Sequence, residues 1–147
     1  MAVLGSSSRI SAEASHRTLR IVHAFLIVSM LVYMWLPSYL RVQPHQPIKP
    51  ILYWTIAALA LVLVGVIFLI RSLMLQRSLE QLASRPDDSA LIRRWHQAYL
   101  TIFCLCEAIV LDGFFLRFMG ASPGQSAPFY VGGLVLMLCF TPKRLAA

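Results

Sequence analysis

The chain has 147 residues, of which 59% are hydrophobic and 13% charged, with a net charge of +7 and a mean hydropathy of +0.71. Soluble domains average about 45–50% apolar and about 25% charged residues, so an ordinary water-soluble domain is excluded and a bilayer is implied. The 13 Lys and Arg flank apolar runs, a pattern that reads as membrane topology and not as a nucleic-acid surface.

Residues 1–15, MAVLGSSSRISAEAS, lack an apolar core of signal-peptide length and read as a flexible cytoplasmic tail. The remainder, 16–147, reads as one membrane domain with four spans at about 21–37, 50–70, 97–118 and 127–141. A helix needs about 20 apolar residues to cross. The second and third runs meet that length. The first and fourth are short and need Trp35, Tyr39, Phe129 and Tyr130 at the interface. Backbone polar groups must be satisfied internally in lipid, so all four runs are expected as helices. The fold class is therefore all-α: an integral membrane four-helix bundle made of two successive transmembrane hairpins.

The connections differ in character. The stretch PSYLRVQPHQPIKP between the first two spans holds four prolines and predicts stiff, extended chain. The loop 71–96 carries Leu73, Leu75, Leu79 and Leu82 near helical spacing, which predicts a cytoplasmic helix as far as Arg85-Pro86. Asp88 or Ser89 then caps the helix leading into the third span. Arg9, Arg17, Arg20, Arg71, Arg77, Arg85, Arg93, Arg94, Lys143 and Arg144 fall on one side, against Arg41, Lys49 and Arg117 on the other. This asymmetry places both termini and the central loop in the cytoplasm, as in a bacterial inner-membrane protein.

The third span contains two acids, Glu107 and Asp112. Counting 1.5 Å per residue from Tyr99, Glu107 lies roughly 12 Å deep and Asp112 roughly 20 Å deep in a core about 30 Å thick. Carboxyls at such depth face protein or water and have partners. On the first span the same count, from Ile21, puts Ser29 roughly 12 Å and Tyr33 roughly 18 Å deep, on one helix face. Ser29 and Tyr33 are expected to serve Glu107. Asp112, turned about 140° from Glu107, is expected to face the fourth span, where Gly132 and Gly133 permit close approach to Gly113. Arg117 lies near the far surface and can snorkel there.

Other chemistry is sparse. Cys104 and Cys106 point about 200° apart on a helix, so neither they nor Cys139 implies a disulfide or a zinc site. The phosphate-loop, dinucleotide and metalloprotease motifs are lacking. No cofactor or enzymatic activity is expected. His23 and His96 stand near one membrane face on two helices, a remote arrangement for a haem.

The stretch CEAIVLDGFFLRF resembles the E-A-x-x-L-x-G carboxylate helix of the proteolipid c subunits of rotary ATPases, with Glu107 and Gly113 in register. The resemblance covers about a dozen residues and implies fused hairpins with Glu107 as a proton or cation carrier. The layout is also similar to that of small four-span bacterial membrane proteins. The leading expectation is a non-catalytic accessory or assembly subunit, held in the bilayer and packed on a membrane protein partner or on copies of itself. The alternative is a small oligomeric proton or cation conductor using Glu107 and Asp112.

Overall fold

In the computed structural model, residues 4–40, 48–75 and 89–141 are described. They form four α-helices: α1 (Leu4–Tyr39), α2 (Pro50–Ile70), α3 (Ser89–Phe118) and α4 (Pro123–Cys139). A short π-helical turn, Arg71–Leu75, continues α2. No strand occurs among the described residues. The described residues are all-α, as the lengths of the apolar runs predict.

Three helices contain stretches long and apolar enough to cross a membrane: Arg17–Tyr39, Pro50–Leu73 and Arg93–Phe118. The fourth helix has 17 residues, about 25 Å at 1.5 Å per residue, which is short of a core about 30 Å thick. It begins at Pro123, earlier than the expected 127, whereas α3 begins at Ser89, where the helix leading into the third span is expected to start. The helix-bearing part of α1 starts at Leu4, so the segment 4–15, expected as a separate tail, is continuous with the first span. Beyond Leu75, the cytoplasmic helix expected as far as Arg85-Pro86 lies outside the described residues, as do Asp88 and residues 41–47 of the proline-rich stretch, whose first residues, Pro37–Tyr39, are helical and not extended.

The organising element is α3, against which α1, α2 and α4 each pack. Its buried residues, among them Trp95, Tyr99, Ile102, Phe103, Cys106, Ile109, Val110 and Leu116, cover a broad face. The other helices bury a narrow stripe: Leu19, His23, Met30 and Pro37 on α1, and Ile56, Ala60 and Ile67 on α2. These are spacings of four and seven, one face of a helix. Contact pairs give the directions. His23 meets Phe103, Ser29 meets Glu107 and Tyr33 meets Phe114, so α1 and α3 run parallel. Tyr53 meets Phe129 and Phe68 meets Phe140, so α2 and α4 run parallel. His23 meets Met137, so α4 opposes α1. The helices alternate in direction along the chain, as successive hairpins demand.

The turn between α3 and α4 shows how local chemistry fixes the ends. Gly120 has φ 98°, a left-handed conformation suited to glycine. Ala121 N donates to Leu116 O (3.0 Å) and Gly120 N to Arg117 O (3.4 Å), closing α3 with a Schellman motif. Two residues later Ser122 caps α4. Its Oγ accepts from Gln125 N (3.3 Å), while Gln125 Oε1 accepts from Ser122 N (2.8 Å). Pro123 at the first helical position loses no intrahelical bond there.

Candidate functional site

Glu107 and Asp112 sit on α3, the element that every other helix touches. Ser29 Oγ on α1 donates to Glu107 Oε1 at 3.0 Å, across 78 positions of sequence. Both residues are half-buried. The bond exists because α1 and α3 are parallel and the two residues stand equally far along their spans. Tyr33 does not join it. Its ring lies 5.5 Å from that of Phe114, and no hydrogen bond from its hydroxyl appears among the described residues. One turn beyond Ser29, the facing position on α3 is aromatic, so the phenol packs by its ring.

Asp112 differs from Glu107. Its Oδ2 is enclosed and has no hydrogen-bond partner among the described residues. Beside it, Gly113 forms the contact with α4. A methyl group at Gly113 would lie 2.8 Å from Phe129 Cβ and 3.2 Å from Ser126 O. One at Gly133 would lie 2.5 Å from Val110 Cγ2 and 2.9 Å from Cys106 O. Both glycines are therefore required for α3 and α4 to approach, each meeting a different turn of the partner and not each other. Gly132 takes no part in this contact: a methyl there would meet nothing within 4 Å. Adjacent helical residues point about 100° apart, so only one of the two can face α3.

At the opposite end, His23 is buried and its Nε2–H donates to Met137 O at 3.0 Å, in the last turn of α4. Helix C-termini leave carbonyls unpaired. Here Phe140 N takes Leu136 O, Thr141 Oγ1 takes Leu138 O, and His23 takes Met137 O. The imidazole also packs on Phe103, with centroids 5.0 Å apart. His23 thus acts as a cap between helices. His96 is half-buried near the start of α3. Trp95 Nε1, one turn from Tyr99, is enclosed without a partner among the described residues.

No family model, curated protein or solved structure matches the chain.

Of the cysteines, Cys104 and Cys139 are exposed and Cys106 is buried, and all are free. Cys104 and Cys106 fall on different faces, as their spacing requires. Among the described residues no three His, Cys, Asp or Glu side chains converge to hold a metal. Sequence reading missed two features. One was the cap by His23, which carries no sequence signal because its acceptor is a backbone carbonyl 114 positions away. The other was a half-open pocket of about 240 Å³ between the end of α1 and the α3–α4 turn, which Arg117 lines.

Proposed function

We propose that the chain is a non-catalytic integral membrane protein, a four-helix bundle that serves as an accessory or assembly subunit of a larger membrane complex. Both termini and the 71–96 segment face the cytoplasm, and α4 completes its crossing with the residues of its flanking turns. The supporting observation is the low burial of two helices. The most apolar windows of α1 and α2 are only 17% buried within the chain, against 44% for α3. Large side chains such as Phe25, Trp54, Leu61 and Val62 stand on the outside. On α2, exposed Ala58 and Gly65 lie two turns apart beside Leu61 and Val62, where another helix can approach closely.

Bulky substitution separates lipid from protein on that face. Ala58→Trp and Gly65→Trp are harmless against lipid and disruptive against a packed helix. The subunit reading expects the chain, extracted in mild detergent at native abundance, to migrate above monomer size, and both tryptophan variants to return it to monomer size with helical content intact. A wild-type chain that runs as a monomer in several mild detergents contradicts it.

A second reading, a small proton or cation conductor, draws on Asp112. An enclosed carboxyl oxygen with no partner is costly inside a bilayer, and such groups in spans mark ion pathways. Glu107, held by one hydroxyl, is the companion carrier, in the register that the resemblance to proteolipid c subunits implies. Reconstituted vesicles that pass protons or cations, with flux abolished by Asp112→Asn or Glu107→Gln, establish this reading. Tight wild-type vesicles remove it.

A further inference from the structure

Where α1 ends beside the α3–α4 turn, the half-open pocket of about 240 Å³ has apolar walls from Met34, Pro37 and Val131 and polar groups from Ser38, Arg117 and Tyr130. Water occupies about 30 Å³ per molecule, so the space holds roughly eight waters, ample for a phosphate group. Its charge has one sign. Arg117 is half-buried, and no acidic side chain lines the pocket. No carboxylate pairs with Arg117 among the described residues, and Asp112, five positions earlier, is turned about 140° away. The guanidinium has five N–H donors. Nη1 donates to Ala121 O at 2.8 Å, which fixes the fork and leaves the other donors for a ligand.

Two further features point to an anion. The side chain of Tyr130 is 6% exposed, and its hydroxyl is enclosed with no hydrogen-bond partner among the described residues. A buried hydroxyl without a partner is costly, and a donor beside a guanidinium fits an acceptor oxygen. The first turn of α4 also enters the wall through Pro123 and Ser126, which brings the positive end of that helix to the pocket. Counted from Tyr99, Arg117 is roughly 27 Å along α3, near the level of headgroups on the far side of a core about 30 Å thick.

We propose that this pocket binds a phosphate group, bonded by the Arg117 guanidinium and the Tyr130 hydroxyl, with a lipid headgroup as the source that its depth favours. This placement rests on the membrane reading above.

The test uses the full chain in two arms. One measures retention of phosphatidylglycerol by native mass spectrometry after purification from vesicles of phosphatidylcholine and phosphatidylglycerol. The other measures binding of inorganic phosphate to the detergent-solubilised, delipidated chain. Arg117→Gln is expected to lower binding about tenfold or more, since bonds to charged groups are worth about 1.5–3 kcal/mol. Arg117→Lys retains part of it, Tyr130→Phe lowers it about threefold, and Arg94→Gln leaves it unchanged. Unaltered helical content and elution of the Tyr130→Phe and Arg117→Lys chains separate a lost site from a lost fold. Arg117-dependent binding in the lipid arm assigns the site to a headgroup, and in the phosphate arm alone to free phosphate. Equal binding by wild type and Arg117→Gln in both arms overturns the proposal. A chain that needs no detergent sinks the membrane reading instead, and leaves the phosphate arm to judge the pocket.

Discussion

The bond between Ser29 and Glu107 joins two helices at one depth, and its worth is measurable. Hydrogen bonds between membrane helices average about 0.6 kcal/mol and reach about 1.7 kcal/mol. Ser29→Ala is expected to lower stability by that order in a reversible unfolding assay in bicelles, and Glu107→Gln by less, because an amide still accepts from Ser29. No change in Ser29→Ala would mean the contact is not made. The glycines give a sharper contrast. Gly133→Ala places a methyl 2.9 Å from the Cys106 carbonyl and is expected to cost about 1–3 kcal/mol through forced separation of the helices. Gly132→Ala has open space and is expected to cost nothing, or to stabilise slightly. The Ser29–Glu107 partnership was legible because equal counts along parallel spans give equal depth. Tyr33 was misassigned because spacing defines a shared face and says nothing of what the neighbouring helix offers one turn further on. Between Gly132 and Gly133 the sequence offers no choice, since rotation of the helix about its own axis decides it.

At the scale of elements, the α3–α4 turn is closed by residues whose chemistry is written in the sequence. Ser122, Pro123 and Gln125 form a capping box with proline at the first helical position. That signature marks the start of α4 more accurately than hydropathy, which places it at 127 because Gly124, Gln125 and Ser126 are not apolar. Ser122→Ala removes the side-chain acceptor for Gln125 N and is expected to cost about 1 kcal/mol, read as a lowered midpoint in the same assay. Gln125→Ala, which spares that acceptor, is expected to cost less. An unchanged midpoint for Ser122→Ala would show that the cap carries no stability. The upstream extension of α1 has a plain cause. Residues 6–15 contain neither proline nor glycine, and adding residues to a formed helix avoids the cost of nucleation. The π-helical turn after Ile70 has no counterpart in the hydropathy pattern.

Across the whole molecule, one helix touches the other three and two helices keep most of their apolar surface outside. In water that surface would drive aggregation. In lipid it is the expected exterior, and the polar groups that matter gather along α3: Glu107 with Ser29, Asp112 with one oxygen enclosed, and Arg117 beside its pocket. All-α architecture and three of the four expected runs, as helices long and apolar enough to cross a membrane, were legible from composition and run length, because that property needs only length and greasiness. The pairing of helices was only partly legible, because hydropathy does not record which face meets which neighbour. The middle of α2, where Leu61 is 73% exposed, must lie within the bilayer, against lipid or a partner helix and away from water. A cysteine at Leu61, in a chain whose three native cysteines are alanine, measures this with a membrane-impermeant maleimide in open membrane fragments. A cysteine at Met119 in the α3–α4 turn serves as the wet reference. The expected result is rapid labelling at 119 and none at 61 until detergent denatures the chain. Labelling at 61 as fast as at 119 would place water against α2 and contradict a bilayer setting.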